Sequence, residues 1–155
     1  MRPLMRRMLR PVLRYALDTF VIMGDPSRVT VGERVALANA ILNVSSGTIT
    51  IGDRSIFSPG VMVITGRHQF MEGMRASFPP ERDDGTWGGG ATEVPSTGFD
   101  ITIGKGVWVC AGAIISGGLS IGDHSIVAAG AVVTKDVAAG ATVVGIPAKP
   151  MKTTP

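Results

Sequence analysis

One spacing constrains the fold of this chain more than any other feature: from Ile103 onward, an aliphatic residue returns every six positions. The later members of the series are Val109, Ile115, Ile121, Val127 and Val133, followed by the smaller Ala139. The same six-residue spacing occurs earlier at Val31 and Leu37, and again at Ile51, Phe57 and Val63. An ordinary β-sandwich would need turn signals every 8 to 12 residues, so the strict six-residue return argues against it.

A longer period is superimposed on the six-residue one. The string Ile103-Gly104-Lys105 recurs eighteen residues later as Ile121-Gly122-Asp123, which makes three hexads one turn. We therefore predict a triangular solenoid, with short strands in three flat walls, aliphatic residues on the axis and small residues at tight corners. Aromatic residues make up only 5% of the chain, and valine, isoleucine and small residues dominate, so the composition also favours β-structure.

The N-terminal segment has a different pattern. Its apolar residues recur at three- and four-residue spacings, at Leu4, Met5, Met8, Val12, Leu13, Ala16 and Leu17. Arg6, Arg10 and Arg14 lie on the opposite side, which predicts an amphipathic helical segment over residues 1–24, weakened by Pro11, before a repeat domain over residues 25–155. This helix would either pack on the repeat domain or a sister subunit, or lie on an anionic membrane surface. The helix and the tail from Ile146 are expected to cap the solenoid.

Charge and cysteine content limit the partners and the compartment. The net charge of +3 is an N-terminal feature, and no basic stripe interleaved with aromatic residues occurs elsewhere, so nucleic-acid binding is not expected. Cys110 is the only cysteine, which excludes an intramolecular disulfide framework or a thiolate cluster for zinc. The simplest location is the cytoplasm, including its membrane surface. Cys110 occupies a small-residue position of the repeat, so we interpret it as a buried, inert thiol.

Residues 69–100 interrupt the repeat with a segment rich in glycine, proline and charge, and a long loop of this kind is usually functional or disordered. His68 stands where the chain leaves the regular wall. Near neutral pH an imidazole can take a proton from a hydroxyl or amine that attacks a thioester. From position alone, a corner histidine that only hydrogen-bonds locally is an open alternative. His124 follows Ile121-Gly122-Asp123 at a corner of the repeat, and we interpret it as structural.

The repeat over residues 29–150 resembles the hexapeptide-repeat acyltransferases, and in particular the branch of the maltose, galactoside and nodulation acetyltransferases. The resemblance implies an all-β fold, a left-handed parallel β-helix with an N-terminal helix and a long loop insertion. Its handedness is an exception to the right-handed crossover rule and comes from the resemblance alone. In that branch a string of aliphatic, Thr, two further residues and His carries the catalytic base. Here Ile64-Thr65-Gly66-Arg67-His68 matches it, which implies that His68 is the general base.

The resemblance also implies the binding residues. An asparagine one coil before the histidine helps to bind the acceptor; Asn39 and Asn43 are the candidates, and Asn43 is preferred. Acetyl-CoA, a co-substrate and not a permanent cofactor, would lie in a groove between two subunits of a homotrimer. The implied donor-site residues are Trp108 and Ala111 near the thioester, Ala129 along the pantetheine arm, and Thr134, Lys135 and Lys149 at the phosphate end. The family usually has arginine where Lys149 stands, which affects the geometry of that contact.

The predicted function is transfer of an acetyl or short acyl group from acyl-CoA to a hydroxyl of a sugar or glycoside, by direct attack with His68 as base. N-acylation of an amino sugar, transfer of a longer acyl chain and a non-catalytic trimeric scaffold are the alternatives. Metal-dependent hydration, known for a carbonic anhydrase type of this solenoid, needs three imidazoles, and the chain has only His68 and His124. We therefore expect no metal.

Overall fold

The computed structural model describes residues 19–66, 70–71, 74–75 and 95–151 of the 155-residue chain. These residues form strands of two or three residues and one 3-10 turn at Pro26–Arg28. The strands are β1 (Val21–Met23), β2 (Val29–Val31), β3 (Ile41–Asn43), β4 (Ile49–Ile51), β5 (Ile56–Phe57), β6 (Met62–Ile64), β7 (Phe70–Met71), β8 (Met74–Arg75), β9 (Ile101–Ile103), β10 (Trp108–Val109), β11 (Ile114–Ser116), β12 (Leu119–Ile121), β13 (Ile126–Val127), β14 (Val132–Val133), β15 (Thr142–Val144) and β16 (Lys149–Pro150). No described helix is long and apolar enough to cross a membrane.

The strands build three walls. Wall A has the order β1-β3-β6-β11-β14, wall B the order β12-β9-β4-β2, and wall C the order β16-β15-β13-β10-β5. Strands consecutive in sequence, such as β3, β4 and β5, lie in walls A, B and C in turn, so each coil of the chain contributes to all three. Every pairing within the walls is parallel except that of β16 with β15. This confirms the predicted solenoid, and the parallel walls are consistent with a left-handed β-helix.

The core is a ladder of aliphatic side chains along the axis. In wall A the central residues of adjacent strands stack in register, and they are Leu42, Val63, Ile115 and Val133. Each of the six aliphatic residues from Ile103 to Val133 in the predicted series is at most 1% exposed. Burying one such side chain contributes about 1.5–3 kcal/mol, so each position of the ladder stabilises the fold.

The six-residue phase fails at both ends of the solenoid. Ala139 is exposed, and Val137 bridges to Ile121 in its place, because the last coil is shortened between Val133 and Val137. At the other end Val31 is 39% exposed, because β2 is the edge strand of wall B. The sequence period therefore predicts the inner coils better than the terminal ones.

Backbone conformation repeats at the corners. At the corner from wall C to wall A, the second turn residue has positive φ in successive coils, at Asn39, Gly60, Gly112 and Gly130. The corner from wall B to wall C has the same feature at Arg34, Arg54, Gly106, His124 and Gly140. Glycine adopts this conformation without steric cost, and asparagine tolerates it better than most residues. Asn39 and His124 are thus placed at corners where the repeat selects for backbone conformation.

The C-terminal tail caps the solenoid as predicted. Strand β16 pairs antiparallel with β15 at the edge of wall C. At the edge of wall A, Val132 donates its N–H to the carbonyl of Gly145 at 3.0 Å and accepts from the N–H of Ala148 at 2.8 Å. The edges left by the last coil are therefore paired, which protects them from association with other strands.

The N-terminal boundary needs a correction. Residues Val21–Met23, which lie within the predicted helical segment over 1–24, form β1 and pair in parallel with β3. These β-branched and long side chains extend wall A by one strand, because the wall offers them a row of backbone partners. The β-helix therefore includes Val21–Met23, ahead of the expected boundary at residue 25. Residues 1–18, which hold most of the predicted helix, lie outside the described residues.

Candidate active site

The predicted base, His68, lies outside the described residues. The surrounding geometry is nevertheless defined by the corner at which the chain leaves the solenoid. The chain leaves wall A at Ile64, the last residue of β6, and enters wall B at Ile101, the first residue of β9. The insertion therefore lies between a strand of wall A and a strand of wall B. Within it the structure describes the antiparallel pair β7–β8 and residues 95–100. We call residues 43–48, 64–66 and 98–101 the insertion corner.

The departing chain is locked at Thr65, which is fully buried. Its Oγ1 donates to the carbonyl of Asn43 at 2.9 Å and accepts from the N–H of Ser46 at 3.1 Å. The Thr65 N–H also donates to the Asn43 carbonyl, at 3.0 Å. The threonine of the motif therefore fixes the exit point on the coil below it. His68 follows three residues later, within about 10 Å of chain.

The returning chain is held by the same coil. Asp100 Oδ1 accepts from the Thr48 N–H at 2.7 Å and from Thr48 Oγ1 at 2.9 Å. The N–H of Phe99 donates to the carbonyl of Ser46 at 3.2 Å. Both ends of the insertion are thus hydrogen-bonded to residues 43–48 of one coil.

Because Asp100 accepts these hydrogen bonds as a carboxylate, its contact with Thr48 is sensitive to acid. The hydrogen bond from the Thr48 backbone, followed by that from its hydroxyl, lowers the pKa of Asp100 below its ordinary value of 3.8, against a smaller opposing effect of burial. Because the folded pKa is the lower one, this stabilisation is present above the unfolded pKa and is lost as the pH falls through the folded pKa.

We therefore expect Asp100→Asn to lower the Tm at pH 7 and to reduce the further fall in Tm between pH 7 and pH 3. Asparagine keeps an acceptor oxygen but removes the charge, so the first effect should be modest. Thermal unfolding of the unaltered protein and of the variant between pH 7 and pH 3 measures both effects on the Tm. Glu33→Gln, which removes the charge of an exposed side chain, is the control. An unchanged pH dependence in Asp100→Asn would contradict the assignment.

The two asparagine candidates lie at opposite ends of β3. Asn43 is half-buried at the insertion corner, and its Oδ1 accepts from the N–H of Ser45 at 2.9 Å and from the Ser45 hydroxyl at 2.6 Å. Its Nδ2 has no hydrogen-bond partner among the described residues. Asn39 lies at the corner between walls C and A, where its Oδ1 accepts from the Thr19 hydroxyl at 2.9 Å. The structure therefore places only Asn43 beside the exit toward His68.

Three donor-site candidates lie close together. Trp108 is 50% exposed on the outer face of wall C, in register between Ile56 and Ile126. Ala111 and Ala129 are exposed one coil apart at the adjoining corner, where the Gly130 N–H donates to the Ala111 carbonyl at 2.9 Å. An aromatic face thus borders a corner that is lined by small side chains.

The remaining donor-site candidates are separated from that group. Thr134 and Lys135 are exposed directly after β14, at the far edge of wall A. Lys149 is exposed on β16, at the terminal edge of wall C. Within one chain, the six donor-site candidates therefore do not lie on a single edge of the solenoid.

The alternative reactive groups lie elsewhere. His124 occupies the corner between walls B and C, and its ring lies over Gly106, where an added Cβ would be 2.7 Å from Nδ1. Cys110 is a half-buried free thiol directly after β10. In the part of the chain that the structure describes, no three His, Cys, Asp or Glu side chains form a group that could hold a metal ion.

Sequence reasoning missed one polar group at the insertion corner. The side chain of Ser46 is fully buried, and its hydroxyl has no hydrogen-bond partner in the described structure. Ser46 falls between two strands, outside the six-residue phase, so neither spacing nor motif could have identified it.

Comparison with known proteins agrees with the fold. Residues 100–135 match the family model described as bacterial transferase hexapeptide (six repeats). A galactoside O-acetyltransferase from Escherichia coli (strain K12) is 31% identical over 106 residues, which are 68% of this chain and 44% of the relative. A 2,3,4,5-tetrahydropyridine-2,6-dicarboxylate N-acetyltransferase from Staphylococcus aureus (strain JH9) is 48% identical over 63 residues, which are 41% of this chain and 26% of the relative. The chain thus spans less than half the length of these relatives.

A solved structure extends the similarity beyond the matched repeats. The structure of a galactoside acetyltransferase in complex with coenzyme A aligns with a TM-score of 0.62 and 26% identity, and the alignment covers 98% of this chain and 72% of that chain. Together these matches confirm the resemblance to the hexapeptide-repeat acyltransferases.

Proposed function

We propose that this chain is a coenzyme A-dependent acyltransferase that moves an acetyl group to a hydroxyl of a sugar or glycoside. The observation that carries the proposal is the fold shared with a galactoside acetyltransferase that binds coenzyme A, over 98% of this chain. The E. coli relative named galactoside O-acetyltransferase supports the same acceptor class. The side-chain amide of Asn43 at the insertion corner supplies a polar group for such an acceptor.

In the proposed mechanism the acceptor attacks the thioester directly in a ternary complex. His68 removes the proton from the acceptor hydroxyl as its oxygen bonds to the thioester carbon. Backbone N–H groups stabilise the oxyanion of the tetrahedral intermediate. When the intermediate collapses, the carbon–sulfur bond breaks and the sulfur of coenzyme A leaves, taking up the proton. Two products result, the acetylated acceptor and free coenzyme A.

Asn43 is suited to orient the acceptor. Because its Oδ1 accepts two hydrogen bonds from Ser45, the orientation of the amide is fixed and the NH₂ group is left to donate. A sugar hydroxyl or ring oxygen can accept that hydrogen bond. This places the acceptor beside the exit of the chain toward His68.

The donor would bind along wall C and its corner. Trp108 offers an apolar face to the thioester end, while Ala111 and Ala129 let the pantetheine arm approach the backbone. Lys135 and Lys149 provide ammonium groups for the phosphates, with Thr134 beside them. Because Thr134 and Lys135 lie on another edge, we propose that two subunits of a homotrimer form each donor groove. The trimer and a membrane contact by the N-terminal segment stay predictions.

N-acylation of an amino sugar is the second candidate. The S. aureus relative named as an N-acetyltransferase, 48% identical over 63 residues, supports acetyl transfer to a nitrogen atom. An amine attacks a thioester by the same steps once a base has removed its proton. The two candidates therefore share the donor site and differ in the acceptor.

The decisive assay follows thiol release from acetyl-CoA with a panel of sugars, glycosides and amino sugars, and identifies the acetylated atom by NMR. We expect release that depends on the acceptor and an O-acetylated product. An N-acetylated product would favour the second candidate. Absence of turnover with every member of the panel would favour the non-catalytic scaffold.

A matched pair of asparagine variants tests the acceptor site. We expect Asn43→Ala to raise the KM of the acceptor about 10-fold, the cost of one lost hydrogen bond, while the KM of acetyl-CoA stays unchanged. Asn39→Gly should leave both constants unchanged, because glycine occupies the corresponding corner position at Gly60, Gly112 and Gly130. Steady-state kinetics with the best acceptor measures the four constants. A larger effect of Asn39→Gly than of Asn43→Ala would reverse the assignment.

A further inference from the structure

The outer face of wall A carries two columns of side chains that differ in chemistry. The column next to wall C is entirely apolar, with the residues Val21, Ile41, Met62, Ile114 and Val132 in register. The column at the insertion corner runs in register from Met23 to Asn43, Ile64 and Ser116. We call Asn43, Ile64 and Ser116 the corner column. In the described strands of wall A, outward polar side chains therefore occur only beside the insertion.

The corner column is accessible from outside the solenoid. Each of its residues is half-buried and follows a fully buried central residue of its strand, so its side chain faces outward. The Ser116 hydroxyl has no hydrogen-bond partner among the described residues. A Cβ placed on Gly117 would meet no described atom within 4 Å, and one placed on Gly66 would come no closer than 3.8 Å to its neighbours. Two glycines therefore leave room beside the polar residues of the column.

The order of these three side chains fits a sugar ring. Sites for small ligands combine apolar contact with a few placed polar groups. The Asn43 amide can donate a hydrogen bond, the Ser116 hydroxyl can donate and accept, and Ile64 between them offers an apolar surface to the C–H groups of a ring. Adjacent strands are about 4.8 Å apart, so the two polar residues are separated by about 9.6 Å along the wall. A monosaccharide with a hydrogen bond at each rim can bridge this span.

We propose that Ser116 is a second acceptor-binding residue, whose hydroxyl bonds to a sugar hydroxyl while the ring lies over Ile64 and reaches Asn43. This inference rests on the proposed function and deepens it, because it assigns the acceptor to the outer face of wall A. Ser116 lies on the coil that also carries Trp108 and Ala111, the candidates for the thioester end of the donor. The acceptor therefore extends from the coil of Asn43 to the coil of the donor.

The kinetic test compares Ser116→Ala with Ser120→Ala. We expect Ser116→Ala to raise the KM of methyl galactoside about 3–10-fold, the cost of one hydrogen bond. The KM of acetyl-CoA and the Tm should stay unchanged, because the hydroxyl bonds to no described residue. Ser120 is the matched control: it is exposed in the next strand, on the outer face of wall B, and its replacement should change none of the three values. A raised KM of acetyl-CoA in Ser116→Ala, or the same glycoside KM in both variants, overturns the proposal.

Deoxy analogues of methyl galactoside identify the hydroxyl that Ser116 binds. The unaltered protein should have a higher KM for the analogue that lacks this hydroxyl than for the parent glycoside. In Ser116→Ala the two values should become equal, because the same hydrogen bond is already lost. A preference against each deoxy analogue that is the same in Ser116→Ala and in the unaltered protein overturns the contact.

A binding measurement separates this inference from the proposed function. The ¹⁵N-labelled protein is titrated with methyl galactoside in the presence of coenzyme A, and the amide resonances of Ser116, Gly117 and Ser120 are followed. We expect shifts at Ser116 and Gly117 and none at Ser120. Unchanged resonances at Ser116 and Gly117 overturn the inference even if the protein transfers acetyl groups. Shifts at both residues without thiol release from acetyl-CoA support the sugar site and contradict the proposed function.

Discussion

His68→Ala is expected to slow acyl transfer by about 10²–10⁴-fold, because without the general base the acceptor hydroxyl stays protonated as it attacks. The loss should appear in kcat at saturating acetyl-CoA. Binding of coenzyme A, measured by calorimetry, should stay unchanged, because the proposed donor contacts lie on wall C and on other edges of the solenoid. Circular dichroism of the variant verifies that the β-helix is intact.

His124→Asn provides the matched control for this prediction. His124 is exposed at the corner between walls B and C, and its φ of 57° is one that asparagine tolerates. Removing this imidazole should therefore leave both turnover and stability close to those of the unaltered protein. Equal losses in the two variants, or full activity of His68→Ala, would reject His68 as the base.

The regular part of the fold could be predicted because its period is a direct consequence of packing. An aliphatic residue is needed each time the chain faces the axis, so the series from Ile103 to Val133 marks the buried ladder. The last coil departs from the period because the chain takes a shorter path between Val133 and Val137. At the start, residues 21–23 were included in the predicted helical segment, and the pairing with β3 shows that they form a strand.

The candidate site could be predicted only in part. The motif around Thr65 identified the exit of the chain, but sequence reasoning left Asn39 and Asn43 as alternatives. They are separated by three residues in sequence and lie at different corners of the solenoid. Thr48 and Asp100 are 52 residues apart in sequence, and only the fold brings them together. No local pattern encodes such a contact.

The anchored ends of the insertion bear on the proposed role of His68 as the general base. Catalytic groups are often found on loops, but they need a rigid support to keep their geometry. Here residues 43–48 bind the departing chain through Thr65 and the returning chain through Phe99 and Asp100. The support is therefore part of the solenoid itself, and its integrity depends on the core of that coil.

Phe57→Ala tests this dependence and is expected to lower the free energy of unfolding by about 3–5 kcal/mol. Phe57 is 1% exposed in wall C, in register with Val109 of the next coil. It fills a position that Val127 and Val143 occupy farther along the wall, so alanine leaves a cavity that neighbouring valines do not fill. Because each coil of a solenoid packs only on its neighbours, the loss falls on the coil that holds the insertion.

Urea denaturation measures this effect, with Phe57→Leu and Thr50→Ala as comparisons. Phe57→Leu leaves a smaller cavity and should have an intermediate effect. Thr50 lies in the same coil but faces outward between Ile49 and Ile51, so its replacement should change the free energy of unfolding by no more than about 0.5 kcal/mol. If Phe57→Ala were as mild as Thr50→Ala, the axial ladder would not be what stabilises this coil. The support of the candidate site would then have to come from the contacts of the insertion alone.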